Sequence, residues 1–362
     1  MGNKRQAEIS KSIHRALLED PDRVKKEPVV AGFLAFFTIW KIRLVRIAAA
    51  LFQQLRNDVW KIDENEYRNS FRYEKGESKI EPMGDLGYSG SVCCPALNEY
   101  NNLWLIRMKT FFRTTNSKFL IKSLPRHSEH SFFKEDFLQP YYEHMRKHKD
   151  SLLVRITDFL GSQYLSLGTV FRCTPSHHVI MENVLCDRQG REEDKWETYD
   201  LKPVDFFYPE RDLVPDPLTS EDTMRKLFDT FDDKMRITKD QYDDLKRTIE
   251  DDTAFLRSVN TVDYSLFLVR YPAHLQPGQT TERTSQWREG VPSTDGKWKY
   301  RVVLLDFFWA KHKLQAQALT GVVQTFNVVG RKGPMSITTT AEEYRDKFLE
   351  MIDEMVDLRG SS

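Results

Sequence analysis

A chain of 362 residues with 40% hydrophobic and 12% aromatic side chains can bury one large two-lobed core or two to three small ones. Lys plus Arg and Asp plus Glu balance at 54 each, so nothing calls for nucleic acid or another polyanion, and any basic surface must be local. The four cysteines, Cys93, Cys94, Cys173 and Cys186, show neither zinc-type spacing nor a disulfide framework, which excludes both classes and favours a reducing, intracellular compartment.

In chain order, residues 1–40 read as an N-terminal tail or helix. Their start has no signal-peptide pattern, and "AGFLAFFTIW" at 31–40 is too short to span a bilayer before Lys41, Arg43 and Arg46 follow. "MGNKRQ" fails the myristoylation pattern because Gln6 stands where Ser or Thr is needed. The expected location is cytoplasmic, or peripheral on a membrane. From Trp40 the positions Leu44, Ile47, Ala48, Leu51 and Leu55 recur at helical spacing and predict a basic amphipathic helix. Such a helix lies on a membrane or packs on its own domain, and the sequence leaves both open.

Residues 103–124 predict two strands around the turn signal "RTTNSK", and "SLLVRITDFL" and "HHVIMENVL" predict further strands. One helix is expected near 129–148, so the region from 80 to 185 is mainly sheet. After Asp200 the pattern turns helical. Thr238 with Gln241 and Thr340 with Glu343 are capping-box signatures, the second opening a helix with the stripe Tyr344, Phe348, Met351, Met355 and Leu358. Residues 272–298 are rich in turn formers and read as a mobile surface insertion. The expected architecture is α+β: a sheet-rich N-terminal lobe at 41–185 with an antiparallel sheet, and a mixed lobe at 186–362.

Four features suggest chemistry, each with a plainer explanation beside it. Lys122 sits on a strand, where a lysine is usually an edge or surface residue. Asp306 ends the apolar run "VVLLD", where an acid holds a metal or simply caps a helix. Asp200 and Lys202 in "YDLKP" suit a salt bridge. Asp263 interrupts the apolar run "VNTVDYSLFLV", which costs desolvation energy unless the carboxylate is paired, bound or used. Together, their order meets the needs of phosphoryl transfer: a lysine on nucleotide phosphates, an acid on Mg²⁺ and an acid at the attacking hydroxyl.

These stretches resemble the phosphatidylinositol phosphate kinases, in order from about residue 41 to 357. "LFQQLRNDVWKIDENEYRNSF" is similar to that family's N-terminal segment, "SKFLIKSL" to its ATP-lysine strand and "HHVIMENVL" to the strand leading into its nucleotide hinge. "YDLKP" resembles the start of its Asp-Leu-Lys-Gly-Ser motif, "FLRSVNTVDYSLFLV" its catalytic segment and "YRVVLLDFF" its metal-binding strand. The resemblance implies a two-lobed kinase-like fold with ATP and Mg²⁺ as cofactors. It implies that Lys122 holds the ATP phosphates, Asp306 binds Mg²⁺, Asp263 is the catalytic acid and Lys202 faces phosphates. The hinge backbone at Met181, Glu182, Asn183 and Val184 would take the adenine, and Glu129 or Glu135 would pair with Lys122. Protein-kinase signatures are otherwise absent: Asp306 precedes Phe307-Phe308 rather than Phe-Gly, and no His-Arg-Asp motif occurs.

Three departures bear on function. The Gly-rich candidate "GDLGYSGSV", with Ser89, Gly90 and Ser91, lies farther from Lys122 than in the family, so either it or "IRMKTFF" lines the phosphates. Asp-Leu-Lys-Gly-Ser has become Asp-Leu-Lys-Pro-Val, in which Pro203 removes an N–H donor and Val204 a hydroxyl. The chain is neutral where the family's lipid-facing surface is basic, leaving Lys311, Lys313, Arg331 and Lys332 as the local candidates for headgroup contact. The leading expectation is phosphorylation of an inositol hydroxyl of a phosphoinositide. A soluble small molecule, activated at a carboxylate and condensed, is the alternative, and a non-catalytic scaffold is the third.

Overall fold

The computed structural model describes residues 2–19, 36–72, 80–83, 92–97, 103–107, 111–170, 174–188, 195–203, 231–275, 285–310 and 340–358. The chain is an α+β protein of helices and antiparallel sheets, with one short parallel pair among the described residues, β10 (Met235–Arg236) and β16 (Val356–Asp357). It divides into two compact units, Met1–His130 with Arg155–Cys186, and Ser131–Val154 with Asp187–Ser362. Residues 131–154 therefore belong to the second unit, whereas their sequence position suggested the first lobe.

The first unit is built on six antiparallel strands: β1 (Leu44–Arg46), β2 (Ile80–Pro82), β5 (Phe111–Thr114), β6 (Phe119–Ser123), β7 (Ile156–Ser162) and β8 (His177–Glu182). Their spatial order is β1-β7-β8-β6-β5-β2. A separate ribbon pairs β3 (Val92–Leu97) with β4 (Leu103–Arg107). The expected hairpin around "RTTNSK" joins β5 to β6. Ser117 takes a left-handed φ of 58° there, and Asn116 Oδ1 accepts from Thr114 Oγ1 at 2.7 Å and from Lys118 N at 3.2 Å. Pro82 lies on edge strand β2, where a missing N–H is tolerated.

The N-terminal residues, expected as tail or helix, form α1 (Gly2–Leu18), which buries Ile9, Ile13 and Leu17 at helical spacing. Ser10 Oγ ties it to the Ile80 carbonyl at 3.2 Å. The helix expected from Trp40 begins later. Residues 44–46 pair with β7, Ile47 N donates to Phe159 O at 2.8 Å, and Ala48 turns the chain with φ 52° into α2 (Ala49–Gln54). A wide turn (Leu55–Val59) and α3 (Glu64–Asn69) follow.

Nor do the basic residues of this stretch form a membrane face. Arg43 pairs with Glu19 at 2.9 Å and Arg46 with Asp158 at 2.7 Å. Asp158 is fully buried on β7 and also receives Arg56 at 3.4 Å and the Tyr67 hydroxyl at 3.2 Å. Arg56 in turn holds Glu64 through two bonds of 2.9 and 3.0 Å. The segment is thus pinned to its own sheet by a buried charge network. Buried charges persist only when paired in this way.

The second unit has a four-stranded sheet, ordered β13 (Val291–Pro292), β14 (Trp298–Leu305), β12 (Ser265–Pro272) and β9 (Glu197–Leu201). The helix expected near 129–148 runs as α4 (His127–Phe132), a wide turn (Phe133–Phe137) and α5 (Leu138–Lys147). Pro140 has no N–H to continue a regular ladder, and the wide turn just ahead of it absorbs the change of register. Both capping boxes form as expected, opening α6 (Lys239–Ser258) and α8 (Ala341–Glu354). In the latter, Tyr344, Phe348, Ile352 and Met355 are buried, so Ile352 takes the place expected for Met351.

The stretch 272–298 is not the surface insertion it resembled, at least from Ser285 on. Residues 285–298 form α7 (Gln286–Glu289), β13 and the start of β14, with Trp287 completely buried. Its indole N–H donates to Asp244 Oδ2 at 3.2 Å, and Gln286 adds a bond of 2.8 Å. Residues 276–284 lie outside the described ones. Beneath the sheet, Asp187 and Arg301, both 1% exposed, form a two-bond pair at 2.6 Å each.

Candidate active site

The candidate residues of the second unit meet because neighbouring strands end in register. In the ladder, Leu201 of β9 faces Leu266 of β12, and Leu266 faces Leu304 of β14. Lys202 follows one strand, Asp263 precedes the next, and Asp306 follows the third, so all three emerge at one end of the sheet.

Two of them share an unusual backbone. The ribbon of β11 (Thr261–Val262) with β15 (Trp309–Ala310) continues the β12–β14 pairing beyond an interruption. Asp263 and Tyr264 fill the gap on one side, and Asp306, Phe307 and Phe308 fill it on the other. Asp263 has φ 66° and Asp306 φ 63°. Aspartate enters this left-handed region more readily than most residues, at a local cost of roughly 1–2 kcal/mol. Neighbours hold both in place. Phe307 stacks on Phe137 at 5.2 Å and Phe308 meets Phe133 at 5.7 Å, which explains why aromatic residues follow Asp306.

The electrostatics centre on Lys202. Its Nζ donates to Asp263 Oδ1 at 2.9 Å, with the two side chains 18% and 28% exposed. Burial opposes its charge, but Asp263, Asp306 and Asp200 more than offset that and hold its pKa above the ordinary lysine value. Asp263 Oδ2 carries no hydrogen bond among the described residues. The acid in the apolar run is therefore tolerated because it occupies a break in the ladder, paired on one oxygen and reached by solvent. Lys202 pairs with Asp263, rather than making the local bridge to Asp200 that "YDLKP" suggested.

The first unit carries the other expected residues. Lys122 lies on β6, 8% exposed, with its ammonium 5.6 Å from the Phe111 ring centre. Glu129 is buried and engaged by Arg126 at 3.4 Å, while Glu135 is exposed. At the expected hinge, Glu182 N donates to Arg155 O at 3.0 Å, Asn183 N to Lys118 O at 2.9 Å and Leu185 N to Asn183 Oδ1 at 3.1 Å. Asn183 Nδ2 also holds Ser117 O at 2.6 Å, fixing this segment to the β5–β6 turn. Met181 is buried within β8.

The family model for phosphatidylinositol-4-phosphate 5-kinase matches residues 107–289, just over half of the chain. The chain belongs to this family. No curated protein matches it closely enough to count as a relative. The matched segment contains Lys122, residues 181–184, Lys202 and Asp263; Asp306 lies beyond it.

Ser89, Gly90 and Ser91, with Lys311, Lys313, Arg331, Lys332 and Val204, fall outside the described residues. Among the described residues no group of three His, Cys, Asp or Glu is arranged to hold a metal ion. A magnesium ion on a nucleotide needs less, since one or two carboxylates plus phosphates and water complete its shell. Asp306, a hard oxygen donor beside the Lys202 ammonium, fits that demand. No described helix is long and apolar enough to cross a membrane.

Sequence reasoning missed Tyr344. Its ring lies 4.7 Å from that of Tyr264, and its hydroxyl donates to the Tyr264 carbonyl, one residue after Asp263. It sits one turn after the Thr340 cap in a core stripe, and only its polar tip distinguished it from packing.

Proposed function

We propose that this chain is an ATP- and Mg²⁺-dependent kinase that phosphorylates an inositol hydroxyl of a phosphoinositide headgroup. Membership of the phosphatidylinositol-4-phosphate 5-kinase family supports the reaction class. The observation that carries the residue assignment is the Lys202–Asp263 pair, a carboxylate fixed through one oxygen with the other available. In this reading Asp263 Oδ2 accepts the hydrogen bond of the attacking hydroxyl, orients it and takes its proton as the new oxygen–phosphorus bond forms and the bond to the leaving ADP breaks. Lys202 keeps that carboxylate in one rotamer and then neutralises charge near the transferred group. Asp306 holds Mg²⁺, which when bound neutralises nucleotide phosphates. Lys122 holds the phosphates, and the Met181–Val184 backbone takes the adenine. Lys311, Lys313, Arg331 and Lys332 supply the local positive charge for an anionic membrane, each worth about 1 kcal/mol near the surface. The enzyme would act as a peripheral protein on that surface.

The test is turnover of Mg²⁺-ATP on vesicles containing phosphatidylinositol 4-phosphate, set against a panel of soluble hydroxyl and carboxyl metabolites. Transfer to the lipid that disappears in Lys122→Ala supports the proposal. Robust turnover of a soluble metabolite with none on vesicles overturns it.

A further inference from the structure

We infer that Tyr344 is a positioning residue for Asp263, acting through the backbone rather than through the substrate. The inference rests on the reading of Asp263 as the residue that handles the attacking hydroxyl. Asp263 holds a left-handed backbone at the break between β11 and β12, and such a conformation persists only where the surroundings over-determine it. On its N-terminal side, Val262 is fixed by pairing with Trp309; on its C-terminal side, Ser265 is fixed by pairing with Leu305. That leaves the Tyr264 peptide as the adjustable link, and the Tyr344 hydroxyl donates to its carbonyl.

The clamp is itself anchored. Tyr344 is 3% exposed on the first turn of α8, and its amide makes the first helical bond, to Thr340 O at 3.0 Å. The Thr340–Glu343 capping box sets where that helix starts. Phe348, one turn on, lies 4.9 Å from the Tyr264 ring and closes the aromatic cluster. Arg257 ties the helix start to α6 through Glu342 at 2.8 and 3.0 Å. Burial, then the charge of Asp263, with smaller contributions from Tyr264, Asp200 and Asp306, push the Tyr344 phenol far above its ordinary pKa. It remains a donor across the working pH range.

A clamp of this kind should appear in turnover rather than in substrate affinity, because a displacement of about 1 Å at a reacting group costs on the order of 10²-fold in rate. The experiment compares Tyr344→Phe, which keeps the ring and loses the hydroxyl, with Tyr242→Phe. The latter removes a 2.6 Å bond to Asp353 that ties the same helix to α6 away from Asp263. Phosphatidylinositol 4-phosphate vesicles and Mg²⁺-ATP are the substrates, with kcat, both KM values and Tm measured for each. The expected result is a kcat at least about tenfold lower in Tyr344→Phe with unchanged KM values, and a wild-type kcat in Tyr242→Phe even where Tm falls equally. Wild-type kcat in Tyr344→Phe, or equal kcat losses in both variants, overturns the inference. Asp263→Asn is measured in parallel. Full activity there refutes the reading of Asp263 itself, whereas inactivity there with normal Tyr344→Phe refutes the clamp alone.

Discussion

Asp263 and Asp306 lie on opposite sides of one interruption in the pairing that runs from β11–β15 into β12–β14, and both have left-handed backbones, at φ 66° and 63°. Side-chain choice is therefore constrained twice at each position, by charge and by backbone. Removing the charge and removing the tolerance for positive φ are separable changes.

At Asp306 the separation is testable by three substitutions. Asp306→Asn keeps a residue suited to the left-handed region and should leave Tm close to wild type while abolishing Mg²⁺-dependent turnover. Asp306→Ala should lose the same activity and also about 1 kcal/mol or more of stability, because a plain Cβ is disfavoured there. Asp306→Gly should recover that stability but not the turnover. Thermal melts beside kinase assays decide it; an active Asp306→Asn enzyme would remove this residue from the metal site.

For Asp263 and Lys202, the two partners should behave differently. Asp263→Asn should keep nucleotide affinity and lose transfer by roughly 10²–10⁴-fold, since an amide cannot take the proton. In Lys202→Met the pH profile of stability is informative. The folded pKa is raised, so the pair's contribution is complete below the ordinary lysine value and is lost as pH climbs through the raised one. The mutant's stability deficit should therefore shrink only in strongly alkaline solution. Urea titrations from neutral pH upward would show it, and a deficit independent of pH would argue against the pairing.

His178 supplies an acid-side counterpart. Its ring is fully buried on β8 beside the Ser123 hydroxyl, and burial lowers its pKa to about 3, against a smaller opposing bond at Pro175. The unfolded chain takes up a proton near the ordinary 6.5 and the folded one does not until about 3, so stability rises with pH across that window. Its slope from this one group is at most about 1.4 kcal/mol per pH unit. His178→Gln should flatten the pH dependence between 6.5 and 4 relative to wild type. Parallel curves for the two proteins would mean that His178 is already protonated in the fold.

The buried Asp187–Arg301 pair should show strong coupling. Arg301 also lies over the faces of Trp196 and Tyr271, 5.2 and 5.0 Å from their centres, so the charge has no route to solvent. Asp187→Asn alone should cost on the order of 3–5 kcal/mol, because it strands the guanidinium. Asp187→Leu combined with Arg301→Met should cost clearly less than the sum of the single changes. Chemical denaturation of wild type, Asp187→Leu, Arg301→Met and the double variant gives the coupling, and additive losses would mean that the two side chains do not depend on each other.

Local signals were legible wherever the structure obeys them locally. The "RTTNSK" turn and the two Ser/Thr-type caps at Thr238 and Thr340 need only residues within a few positions, and all three form as expected. The helix from Trp40 failed because one left-handed residue, Ala48, divides a helical-looking apolar pattern between a strand and a short helix. Residues 285–298 misled because the hydrogen-bond partner of the buried Trp287 is Asp244, far away in sequence and itself on a different element. In the site, Lys202 and Asp263 stood out as charges in apolar surroundings. Tyr344 did not, since a tyrosine in a core stripe looks like packing until its hydroxyl has a named acceptor.

The network around Asp158 sets a lower limit on how far this chain can be trimmed. The matched family segment begins at residue 107, yet the positive charges that neutralise Asp158 come from Arg46 and Arg56. A chain cut back to that segment would keep the buried carboxylate on β7 and discard both of its counterions, a loss comparable with much of a domain's total stability of about 5–15 kcal/mol. The unit that evolution matches by sequence is thus shorter than the unit that folds. The boundary for expression lies upstream of Arg46, so that β1 and both counterions of one buried acid stay with the sheet.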